Sequence, residues 1–196
     1  MTFASVLIIQ VYMRLLKSFT HQDVEAIENP VIYERRAARG IILDGKDILM
    51  IYTRRYNDYS FPGGGIDQGE AVEAGLLREL AEETGARNVR VQEAFGDFEE
   101  YRPTHYDGFD LMHQLSHFYV CTADRQLGQA KPESYEIKNG SEPVWVNIVE
   151  AIRHNQKVID TKEDSMGLSI ERETFVLRQI AREILGLSEE DLTFTA

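Results

Sequence analysis

The chain has 196 residues, of which 43% are hydrophobic and 28% charged, with a formal net charge of −12. That length suits one domain with a sizeable core and is short for two. The negative charge argues against a nucleic-acid polymer as the main partner, because backbone binding needs a basic surface, but it leaves room for a small phosphorylated ligand bridged by a metal cation.

The chain opens with "MTFASVLIIQVYMRLL". Its apolar run, Phe3 to Tyr12, is about half of the roughly 20 residues a bilayer span needs, so no membrane partner is expected. No basic residue precedes the run. It reads as a strand or packing arm, with a signal peptide as the alternative. Met13 is a second potential start, which would make residues 1–12 an extension. An apolar arm of this kind also allows a homodimer. "RRAARGIIL" and "DILMIYTRR" are apolar runs flanking Asp44-Gly45 and read as a β-hairpin. "SFPGGGIDQGE" is too rich in Gly and Pro to be regular and reads as a loop. Residues 70–84 read as a helix, with Leu76, Leu77, Leu80, Ala81 and Thr84 on one side and Gly85 as its stop.

Two strands follow, "VRVQEAFGDFEEY" and "HQLSHFYVCTA", separated by the polar loop "RPTHYDGFD". Residues 128–142 read as a long loop, and such loops are often functional. "PVWVNI" reads as a strand and "VEAIRHN" as a short helix. Residues 172–186 read as an amphipathic helix closed by Gly186. The order predicts an α/β fold, a mixed sheet with helices on both faces. The whole chain, 1–196, reads as one domain: an arm over 1–30, a core over about 34–150 and the C-terminal helix. Cys121 is the single cysteine. It cannot form an internal disulfide, so a cytoplasmic protein is expected, and its apolar run makes it a small core residue.

The helix over 70–84 raises an electrostatic question. At about 100° per residue, Glu79, Glu82 and Glu83 span an arc of roughly 100°. Like charges at this spacing each cost a few tenths of a kcal/mol. They also sit toward the helix C-terminus, where the macrodipole disfavours them. A solvated acidic face would tolerate this; a hard divalent cation, Mg²⁺ or Mn²⁺, would offset it. Gly63-Gly64-Gly65, just ahead of the helix, lets backbone approach a ligand closely. That favours the cation.

These residues resemble the signature of the Nudix hydrolases: Gly64, Glu70, Arg78-Glu79, Leu80, Glu82-Glu83 and Gly85 fall at the family's spacing, with Ala86 where a larger aliphatic is usual. The resemblance implies a Nudix-type α/β/α sandwich with a mixed β-sheet. It also implies hydrolysis of a small nucleotide, a nucleoside diphosphate linked to another group, aided by Mg²⁺ or Mn²⁺. By position, Glu79, Glu82 and Glu83 would be metal ligands, with Glu79 also a candidate base. Glu70 would support the metal, Arg78 would orient a motif glutamate, and Gly64 would offer its backbone to metal or phosphate. Some members keep the base in a late loop, where Glu133, Glu136 and Glu142 are candidates here. Arg54 and Arg55, ending the strand before the glycine loop, are candidate phosphate contacts. Tyr59 and Phe61 are candidate base-stacking rings, with Phe61 favoured as a core anchor. His105, His113 and His117 lack zinc-site spacing and read as surface or core residues, and Trp145 reads as core. Tyr101 and Pro103 give conflicting hints about substrate. Two other readings remain at this stage: a Nudix-fold module that senses a nucleotide without cleaving it, and an isoprenoid diphosphate isomerase, which would need a cysteine better placed than Cys121.

Overall fold

The computed structural model describes residues 13–192. The apolar run from Phe3 to Tyr12 therefore lies outside the described residues. The chain forms strands β1 (Leu15–Thr20), β2 (Ile32–Asp44), β3 (Asp47–Thr53) and β4 (Asp58–Ser60), then helix α1 (Val72–Thr84). Strands β5 (Arg90–Arg102) and β6 (Leu111–Thr122) follow, then α2 (Ser134–Asn139), β7 (Ser141–Asn147), α3 (Ile148–Thr161), α4 (Ile170–Glu183) and α5 (Glu189–Leu192).

The sheet order is β1-β5-β6-β2-β3-β4, with β7 pairing the other side of β3. It is mixed: β2 runs parallel to β6 from Ile32↔Leu111 to Ile42↔Cys121, whereas β5 and β6 are antiparallel. Central β2 is buried on both faces at Ala37, Ala38, Ile41 and Ile42, as a covered strand should be. On one face Ile41, Met50, Phe61, Phe98 and Phe118 pack against Ile152 of α3 and Val176, Leu177 and Ile180 of α4. On the other, Ala38, Ile42, Leu49 and Cys121 pack against Leu76 and Leu80 of α1. Helices thus cover both faces, giving the α/β/α layering.

The β2–β3 hairpin forms at Asp44-Gly45 but holds only through Leu43↔Ile48 and Asp44↔Asp47. Beyond that the strands splay, because the glycine loop takes the vacated edge of β2. Gly40 N–H donates to Pro62 O (2.9 Å), Ala38 N–H to Gly64 O (3.0 Å) and Ile66 N–H to Arg36 O (3.0 Å). The loop is therefore stitched to the most buried strand.

Several expectations need correction. The buried side of α1 is Gly75, Leu76, Leu80 and Thr84, whereas Leu77 is 38% exposed and Ala81 is exposed. The helix is rolled so that its acidic side lies against the loop instead of facing away. Residues 128–142 are not all loop: α2 forms inside them, closed by a reciprocal capping box between Glu133 and Glu136. Helix α3 runs well past Val149–Asn155, capped at its start by Asn147, whose side chain accepts from Val149 N–H. The short elements β4 and α5 were not expected.

Candidate active site

Helix α1 and the glycine loop form one wall of a cleft of about 620 Å³. The contact is tight. Glu83 accepts from Gly63 N–H at 2.6 Å. A Cβ on Gly64 would stand 2.5 Å from the Glu79 carboxyl carbon, and one on Gly63, where φ is +125°, would stand 2.2 Å from Ala38 O. Only glycine fits at Gly63, whereas a side chain at Gly64 would push the Glu79 carboxylate out of place. The far side of the loop is held as well: Phe61 N–H donates to Glu173 at 3.0 Å, and Phe61 is an anchor, edge-on to Phe118 at 5.3 Å. Glu173 is itself tied to Arg172 at 2.6 Å, and Arg172 to Glu100.

Arg78 is the hub of the acidic wall. It grips Glu70 with two nitrogens (both 3.1 Å) and reaches Glu79 at 2.8 Å and Glu82 at 3.4 Å. It thus orients three carboxylates instead of one. These bonds raise its pKa, the Glu70 hydrogen bond most of all. Glu70 differs from expectation. It does not line the cleft; its carboxylate is taken up by Arg78 and by Asp67 N–H (3.1 Å), which hold its pKa down. Its place is behind Arg78. Gly64 lines the cleft, and its carbonyl accepts from Ala38 with one lone pair still free.

Burial raises the Glu79 carboxyl. It pushes Glu83 up to about 8, opposed by Arg39 and by Gly63 N–H, with Glu136 adding a further upward push. Glu136 of α2 and Glu133, which caps that helix, line the cleft, whereas Glu142, paired with Tyr52 in the sheet, does not. Among the described residues, no three His, Cys, Asp or Glu side chains already converge as a ligand set. Glu79 and Glu82 lean on Arg78, and Glu83 leans toward Glu136. The donor chemistry still fits a hard divalent cation: all are carboxylate oxygens, and a cation would offset both the burial that raises Glu83 and its repulsion from Glu136.

Arg54 and Arg55 do not reach the cleft. Their backbone N–H groups donate to Gly140 O (3.2 Å) and Asn139 O (3.0 Å), and the Arg55 guanidinium donates to the Asn139 side chain (3.0 Å). They pin the end of α2. Tyr59 packs between Tyr52 and His154, away from the cleft. His105 is an exposed residue, as read, and lies on the cleft lining. Tyr101 instead stacks on His113 at 4.5 Å.

The sequence reading missed the opposite wall and floor, where Arg35, Arg39 and Arg102 stand with Tyr106 and Tyr135. "ERRAARG" showed the first two as a basic cluster in a strand, with nothing to say which face they occupy.

The NUDIX domain family matches residues 34–164. The chain belongs to the NUDIX family. The RNA pyrophosphohydrolase of Shewanella frigidimarina (strain NCIMB 400) is 46% identical over 59 residues, 29% of this chain and 34% of that protein. The protein of the same name from Shewanella piezotolerans is 42% identical over 59 residues, again 29% and 34% of the two chains. The matched part is thus about a third of these relatives' length. Among solved structures, the MutT NUDIX hydrolase from Burkholderia pseudomallei is 21% identical with a TM-score of 0.41, over 59% of this chain and 84% of its own. The E. coli ORF135 protein is 17% identical with a TM-score of 0.47, over 80% and 96%.

Proposed function

We propose that the chain hydrolyses a pyrophosphate bond in a small nucleotide, a nucleoside diphosphate linked to another group such as ADP-ribose, a dinucleoside polyphosphate or a nucleoside triphosphate. The observation that carries this is the packing of Gly64 against Glu79 and of Gly63 against Glu83, with Glu82 alongside on the same cleft wall. Family membership supports it. The relatives' name adds RNA to the substrates worth testing, since the charge argument bears on tracking a polymer backbone, not on a single chain end entering a cleft.

Glu79, Glu82 and Glu83 would hold Mg²⁺ or Mn²⁺, with the Gly64 carbonyl as a further oxygen. Such a cation, when bound, offsets charge building on the phosphate oxygens and lowers the pKa of a bound water. The protein's own part is positional. Glu173 and Glu83 hold the loop from its two sides. Arg78 fixes the rotamers of Glu79 and Glu82. The base is a carboxylate within the cleft, Glu79 on the helix or Glu136 on α2, each of which faces the same space.

Incubation with Mg²⁺ or Mn²⁺ and a panel of nucleotides, including 5′-triphosphorylated RNA, with products read by mass, tests the reading. One class of substrate should yield a product pair. Glu82→Gln and Glu83→Gln should each lose at least a hundredfold in turnover while remaining folded. Full activity in both would sink the assignment.

A further inference from the structure

We propose that Arg35, Arg39 and Arg102 form an anion-binding floor that takes the phosphates beyond the cleaved bond, committing the cleft to a chain of three or more phosphates in preference to a diphosphate bridge. This rests on the hydrolase reading for its choice of substrate, but not for the binding itself.

The three guanidiniums come from distant parts of the chain. Arg35 and Arg39 lie on β2 and Arg102 ends β5, two strands separated only by β6. Gln114 of β6, fully buried, holds two of them: its side-chain oxygen accepts from Arg35 at 2.8 Å and from Arg102 at 3.1 Å. Its amide nitrogen is spent on Ser116 at 2.9 Å, which fixes the oxygen toward the arginines. Arg39 donates to the loop carbonyls of Phe61 (3.3 Å) and Gly63.

What these arginines lack is a direct ion pair, although Glu173 and Glu83 act on Arg39, and Glu100 on Arg102, from further off. Among the described residues none of the three forms an ion pair with a carboxylate, whereas Arg78 and Arg172 each have at least two. Arg39 Nε and Arg102 Nε are buried with no hydrogen-bond partner. In a chain of net charge −12, acids are not scarce. Burying cations without partners is costly, and clustering them adds repulsion. Burial and the neighbouring arginines, Arg172 foremost, pull Arg102 down to about 10 against the opposing pull of Glu100. An anionic ligand supplies the missing direct partner, and guanidiniums match phosphate in shape as well as in sign.

The floor adjoins the acidic wall through the loop. A Cβ on Gly65 would lie 3.4 Å from Arg35 Nη2, and Arg78 reaches Gly65 O at 3.3 Å on the other side. A phosphate on the floor would therefore neighbour one held through a cation at Glu79 and Glu82. Three guanidiniums, none in a direct ion pair, offer more donors than the second phosphate of a diphosphate bridge can use. They match a triphosphate end or a longer polyphosphate.

Calorimetric titration of the whole chain with inorganic tripolyphosphate, diphosphate and phosphate, without divalent metal, tests the floor alone. Tripolyphosphate should bind tightest, and Arg35→Gln and Arg102→Gln should each weaken it about tenfold or more. Arg35 is partly exposed, so its variant should keep its melting temperature if Arg102→Gln does not. Unchanged tripolyphosphate affinity in a folded variant, or equal affinity for all three anions, would overturn the proposal. Metal-supplemented turnover separates the two readings. Arginine-dependent binding with no product from any nucleotide would remove the hydrolase reading and leave the floor standing. Turnover whose preference for triphosphates over ADP-ribose survives Arg35→Gln would remove the floor and leave the hydrolase.

Discussion

Arg78 and Arg172 are both arginines gripping carboxylates from more than one element, yet they stand in opposite surroundings. Arg172 is 2% exposed between Glu100 (2%) and Glu173 (0%). Arg78 is 34% exposed beside Glu70, Glu79 and Glu82. The first is locked: burial opposes its charge, and its two partners outweigh that and hold the pKa up. The second works in reach of water, where each bond is weak and exchangeable. The difference teaches that one kind of ion pair is architecture when dry and adjustable machinery when wet. Architecture here means the loop, since Glu173 carries Phe61 N–H on its other oxygen.

The largest expected effect breaks the dry side. Arg172→Leu leaves Glu100 and Glu173 buried without their direct ion-pair partner, and should cost about 3–5 kcal/mol in urea unfolding. Next comes Asp58, buried at 3% exposure near the same network. Burial, with repulsion from Glu173, raises its pKa from 3.8 to about 7, against the pull of Arg172. An acid with a raised folded-state pKa binds its proton more tightly folded than unfolded. Its contribution to stability is therefore greatest at low pH and is lost as pH climbs from about 4 through about 7. Asp58→Asn should flatten that slope and raise stability at pH 8 by roughly 2–4 kcal/mol, an upper range from the size of the shift. An unchanged pH profile of unfolding would refute it.

On the wet side, Arg78→Gln should reverse the balance of effects. Stability should move by about 1 kcal/mol or less, whereas turnover should fall roughly 10–100-fold as Glu79 and Glu82 lose their alignment. A melting temperature that collapses along with activity would erase the contrast with Arg172. The smallest effect checks how α1 is rolled. Leu77→Ala should change unfolding free energy by no more than about 0.5 kcal/mol. Leu76→Ala, one residue earlier, should cost roughly 2–5 kcal/mol.

What the sequence alone determined here is local. The Gly loop, helix α1 with its stop at Gly85 (φ +66°) and the turn at Asp44-Gly45 all rest on rules acting within a few residues, and each stands where expected. The acidic face was legible for the same reason: a helix of known pitch brings Glu79, Glu82 and Glu83 together wherever it packs. The partners of those residues were not legible. That Leu77 faces water, that Arg54 and Arg55 pin α2, and that Glu136 meets Glu83 depend on which surfaces pack together. The arginine floor is the clearest case. Arg35 becomes a neighbour of Arg102 only through the parallel register of β2 on β6, Arg35↔Gln114, and the antiparallel register of β5 on β6, Arg102↔Met112. A register between strands so far apart in the chain is chosen by burying two hydrophobic faces at once, a requirement that no local stretch of sequence expresses.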